Sequence, residues 1–67
     1  MENNTDKELK TLFKQLSRLD ASIFYLEHMI EALDSKIDKH DVKVSIKILK
    51  KIRNEKQAKL SKLISKN

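Results

Sequence analysis

The side chains best suited to chemistry near neutral pH are two histidines, His28 and His40. His28 follows Glu27 and precedes Glu31 by three residues, while His40 lies between Asp38 and Asp41. A metal site on a helix needs two ligands on one face, in patterns such as His-x-x-x-His or Glu-x-x-His. Neither pattern occurs in that order, so both are read as surface histidines among acids. No metal and no other cofactor is expected. There is no cysteine, which excludes a thiolate ligand, a thiol nucleophile and a disulfide framework. There is no glycine either, so a Gly-rich phosphate loop and a nucleophile elbow are both excluded. Acid–base catalysis also needs an enclosed site that shifts pKa values, and a chain of this size offers little enclosure. The expectation is a protein that is not an enzyme.

The basic side chains are the second chemical feature. Residues 1–38 hold five basic and eight acidic groups, net −3, whereas residues 39–67 hold ten basic and two acidic groups, net +8. The basic set is Lys39, Lys43, Lys47, Lys50, Lys51, Arg53, Lys56, Lys59, Lys62 and Lys66, about one helical turn apart. Such a helix can follow a phosphate backbone, and Lys43, Lys47, Lys50, Lys51, Arg53, Lys59 and Lys62 are the candidate contacts. Against that reading, only one of the ten is an arginine, the residue suited to bidentate phosphate and base recognition. No aromatic ring lies among the lysines to stack a base. A solvated face, or attraction between unlike helices, accounts for the same pattern. A membrane surface is not expected, because tryptophan is absent and the apolar stripe of this segment is interrupted.

Helices are what must carry these side chains. Glycine and proline are both absent, whereas turn-rich β architectures depend on them. In the first half, Leu9, Leu12, Leu16, Leu19, Ile23, Leu26, Ile30, Leu33 and Ile37 form a ladder in steps of three and four residues. That is the 3.5-residue repeat of a helix lying along another helix. Thr5 with Glu8 reads as a capping box, with Asp6 adding negative charge at the positive end of the helix dipole. The polar residues 1–4 ahead of it are expected to fray. The first helix is expected over residues 5–36, a turn over 37–41, and a second helix over 42–65. Asp34, Ser35, Asp38, His40 and Asp41 supply the side chains that compete with helical backbone bonds there.

A short connection favours antiparallel neighbours. A turn centred near residue 39 sets Leu33 against Ile46, Ile30 against Leu49, Leu19 against Leu60 and Leu16 against Leu63. It also sets Arg53 and Lys56 against Ile23 and Leu26, a poor match even for basic side chains that lay their stems on apolar surface. Leu9, Leu12 and Phe13 then run past the end of the second helix. Residues 42–48 (Val-Lys-Val-Ser-Ile-Lys-Ile) also alternate as a strand would. A strand there would need an intermolecular partner, since no second strand pattern exists. Helix is preferred because Leu49, Ile52, Leu60 and Leu63 continue at helical spacing.

The expected architecture is an all-α antiparallel two-helix hairpin of coiled-coil type, one small domain over residues 1–67. It is expected to be completed by self-association or by a partner, because chains near 60 residues bury only about 60% of their unfolded surface. Leu9, Leu12, Phe13, Phe24, Tyr25, Met29, Val44 and Ile48 lie beside or beyond the seam and are the candidate protein-interaction residues. The longest apolar run is four residues, Ile23 to Leu26, too short to span a bilayer. The N-terminus has neither the basic nor the apolar region of a secretory signal, so a cytoplasmic protein is expected. The functional expectation is a protein-interaction module, such as a small chaperone, adaptor, inhibitor or regulator, bound to another protein or to a second copy. An RNA- or DNA-binding hairpin acting through the lysine-rich helix is the alternative.

Overall fold

The computed structural model describes residues 4–65 as two α-helices, α1 over Asn4–Ala32 and α2 over Lys36–Ser65, folded into an antiparallel hairpin. The hairpin measures 52 × 18 × 12 Å, a rod two helices wide and one deep. The first helix, expected from Thr5, is already helical at Asn4, the first of the described residues. The polar residues 1–3 and Lys66 lie outside the described residues.

The turn falls earlier than expected. It occupies Leu33, Asp34 and Ser35 rather than residues 37–41. The Leu33 N–H donates to the Ile30 carbonyl at 3.2 Å, a bond one residue tighter than the helical pattern, which closes α1. Ser35 then caps α2: its hydroxyl accepts from the Asp38 N–H at 3.4 Å and its carbonyl from the Lys39 N–H at 3.0 Å. Asp38, expected in the turn, is instead the acid in the first turn of α2, where the helix dipole favours it. Among the described residues none has positive φ, so the bend is made wholly from right-handed and extended backbone. Residues 42–48 lie inside α2, which removes the strand alternative.

Moving the turn changes every pairing. Ile37, the last step of the ladder, belongs to α2 and is 74% exposed, because a stripe begun on one helix does not continue in phase through a bend. Arg53 reaches Asp20 and Lys56 reaches Gln15, nearer the start of α1 than the later turn would set them. The far part of α2 extends alongside the start of α1. Leu12 is therefore only 4% exposed and Leu9 half-buried, and these two do not run past their partner helix. Phe13, beside them, stays exposed. The core is the seam itself: Leu12, Leu16, Ile23 and Ile46 are buried, flanked by half-buried Leu19, Leu26, Ile30, Leu49, Ile52, Leu60 and Leu63.

Substitutions separate the two registers. Ile23→Ala is expected to cost about 2–4 kcal/mol, whereas Ile37→Ala, at the same kind of ladder position, is expected to stay within about 0.5 kcal/mol. Removing the cap with Ser35→Ala is expected to cost about 0.5–2 kcal/mol. Urea unfolding followed by circular dichroism measures all three. Equal losses at Ile23 and Ile37 would restore the later turn.

Candidate interaction surface

At about 100° per residue, the side chains beside the seam divide into two flanks of opposite character. On one flank α1 presents Asp20, Phe24, Glu27 and Glu31, and α2 presents Lys39, Lys43, Lys50 and Arg53. This flank is closed by charge. Arg53 Nη1 donates to Asp20 Oδ1 at 3.4 Å, and Lys50 Nζ stands 3.7 Å from Glu27 Oε1. Both sides of the Lys50–Glu27 pair are about half exposed, so water and salt screen it and it contributes little. Arg53 is more deeply placed: its side chain is 30% exposed, and its Nε is buried without a hydrogen-bond partner among the described residues.

His28 is exposed one turn on from Phe24, and its role is local. Its Nδ1–H donates to the Phe24 carbonyl one turn back at 3.0 Å, and its ring stacks at a tilt on that of Phe24, with centroids 4.2 Å apart. Phe24 thus gains a cover on one edge but remains exposed. His40 is exposed on the first turns of α2. Among the described residues, no three His, Cys, Asp or Glu side chains are grouped to hold a metal ion.

On the other flank α1 carries Arg18, Ser22, Tyr25 and Met29, and Leu33 of the turn continues the row, spaced by three and four residues. Facing them α2 carries Ile37, Asp41, Val44, Ile48 and Ile52 in the same rhythm. Over its turn-proximal half this flank is mainly apolar, with Ser22 on α1 and exposed Asp41 and Ser45 on α2 as its polar members. Tyr25, Ile37, Val44 and Ile48 are exposed, and Met29, Leu33 and Ile52 are half-buried. Towards the open end of the hairpin the same side turns polar. Lys56 Nζ donates to Gln15 Oε1 at 3.0 Å, bridging the helices beside an open cleft of about 310 Å³ lined by Lys7, Glu8, Thr11, Leu12 and Lys59.

The candidate residues thus fall into three groups. Tyr25, Met29, Val44 and Ile48 come together on one flank. Phe24 and Phe13 lie on the opposite flank, one among charges and one near exposed Ile64 at the open end. Leu12 is taken up by the hairpin's own core, and Leu9 is half-covered by it. Two members of the apolar flank, Leu33 and Ile37, belong by spacing to the seam, and only the position of the turn reveals their place. Of the candidate nucleic-acid contacts, Lys43, Lys47, Lys50, Lys51, Lys59 and Lys62 are exposed. Arg53 is committed to Asp20. No helix is long and apolar enough to cross a membrane among the described residues.

The fold defines the class as an all-α helical hairpin. Comparison with protein-family models, with curated proteins and with solved structures gave no match.

The contrast between the flanks is measurable. Arg53→Met is expected to leave stability unchanged or raise it, because an apolar side chain of similar length removes a partly buried charge and its unbonded Nε. Asp20→Asn is expected to cost less than about 1 kcal/mol, and that loss should fade as salt is added. Thermal melts of the two variants at low and high ionic strength check both.

Proposed function

We propose that this chain is a non-enzymatic protein-interaction module of the cytoplasm, a small chaperone, adaptor, inhibitor or regulator that binds through helix–helix seams. One observation carries the reading. Among the described residues four hydrophobic side chains are buried, while Phe13, Phe24, Tyr25, Ile37, Val44, Ile48 and Ile64 stay exposed. Exposed apolar residues scattered singly need no explanation, but a contiguous set marks a contact surface. The set on the Tyr25–Ile48 flank is contiguous and repeats at the spacing that a third helix would read. Charge would then serve orientation: α1 is net −1 and α2 net +7, so a partner helix meets an electrically polar groove.

The nucleic-acid alternative has one observation in its favour. Lys36, Lys39, Lys43, Lys47 and Lys50 follow one another by three or four residues along a single stripe of α2. At one end the stripe is opposed by acids of the neighbouring helix, since Glu27 stands beside Lys50. That lowers the positive potential available to a phosphate chain.

Affinity capture from the native host separates the two readings. Tyr25→Ser combined with Ile48→Ser is expected to weaken partner capture at least about tenfold while helicity is retained. Gln at Lys43, Lys47, Lys50 and Lys51 is expected to leave it unchanged. Capture that ignores the first pair and is lost with the lysines, alongside salt-sensitive binding to duplex DNA or structured RNA, would overturn the protein-interaction reading in favour of the alternative.

A further inference from the structure

The hairpin exposes 5574 Å² of surface. A compact folded chain of 7.9 kDa exposes about 4,400 Å². The hairpin therefore leaves roughly 1,200 Å² more in water than a compact protein of its mass, while a stable interface removes about 800 Å² from each partner. The deficit matches what one protein contact covers. Resting on the protein-interaction reading above, we propose that the flank bearing Tyr25, Met29, Val44, Ile48 and Ile52 is covered by a second copy of this chain, giving a four-helix bundle of two hairpins. In this bundle α1 of each copy lies over α2 of the other, with both turns at the same end.

Three observations choose this occupant and this arrangement. The first is the area just given, which one further pair of helices satisfies and which leaves the charged flank free. The second is charge. With both turns at one end, each α1, net −1, lies on an α2, net +7. The opposite arrangement, with the turns at opposite ends, lays α2 on α2 and brings two strongly positive helices together. The third is register. Arg53 reaches Asp20, so Arg18 and Glu55, two residues further in each direction, stand at one level of the rod. Both lie on the rim of the apolar flank. In the proposed bundle Arg18 meets Glu55 of the other copy, and the two-fold axis repeats the pair. At the same time Tyr25 lies over Ile48 of the second copy and Met29 over Val44. The surface is self-complementary in the sense a two-fold contact requires.

Sedimentation equilibrium of the full chain gives the first readout, with a mass twice 7.9 kDa expected at micromolar concentration. Tyr25→Glu with Ile48→Glu is expected to weaken the dimer at least about 100-fold, while Phe13→Ser and Phe24→Ser on the other flank leave it intact. A second readout leaves the apolar flank untouched. The chain has no cysteine, so Arg18→Cys and Glu55→Cys can be made in separate chains, mixed, and treated with a short thiol crosslinker. The mixed crosslink is expected to exceed either self-crosslink.

Self-crosslinks in place of the mixed product, or a dimer indifferent to Ile48 and Tyr25, would overturn the proposal. So would a monomer up to about 100 μM, well above the range of specific dimers. If that monomer still loses host-partner capture when Tyr25 and Ile48 are changed, only the self-association fails. If it loses nothing, the interaction reading fails with it.

Discussion

The Lys39 N–H donates to the Ser35 carbonyl and the Asp38 N–H to its hydroxyl, and the register of the whole molecule depends on these two bonds. A chain without glycine or proline has no residue that ends a helix by its own geometry. What bends this one is a local competition. Asp34 and Ser35 offer side-chain partners that a continuous helix would leave unused, and the tightened Leu33–Ile30 bond closes the helix before them. Once α2 starts at Lys36, its buried Ile46 and half-buried Leu49, Leu60 and Leu63 are assigned their places along α1. A bond pattern worth about 1 kcal/mol locally thus decides which surfaces are core and which are left outside.

The architecture was legible from the ladder and from composition: two helices, antiparallel, with Leu16, Ile23 and Ile46 among the apolar positions expected at the seam. The bend was not, although its signal was present. Ser35 followed by Asp38 has the same spacing as Thr5 followed by Glu8, the pair that marks the expected start of the first helix. The unbroken ladder through Ile37 outweighed it, because hydrophobic periodicity does not register whether consecutive steps share one helix axis. From that single displacement came the misplaced pairs at Arg53 and Lys56 and the apparent surplus at Leu9 and Leu12. Phe24, Tyr25, Val44 and Ile48 were legible as exposed apolar residues because they sit off the ladder at any register. Their division between two flanks required the register, and with it the three-dimensional structure.

The two flanks also show why composition alone is a poor guide to what this helix pair does. The +5 net charge is concentrated on α2. Part of that charge is turned toward α1 acids, where Asp20 and Glu27 meet Arg53 and Lys50. The ion pairs add little stability at their exposure, but they cover one side of the seam with long side chains and leave the other side to Val44, Ile48 and Tyr25. Hydropathy averaged over either helix hides this asymmetry, since each carries both kinds of stripe.

The rod shape has a hydrodynamic consequence. The radius of gyration is 15.5 Å, the value of a compact chain of about 170 residues and well above the roughly 11 Å of a compact chain of this length. A single hairpin diffuses and elutes as a much larger particle. Gel-filtration volumes calibrated on spherical standards would assign it more than one copy even when it is alone. Placing a second rod beside the first thickens the particle more than it lengthens it. The dimer is therefore closer to a sphere than the monomer, and the two species separate far less in elution than in mass.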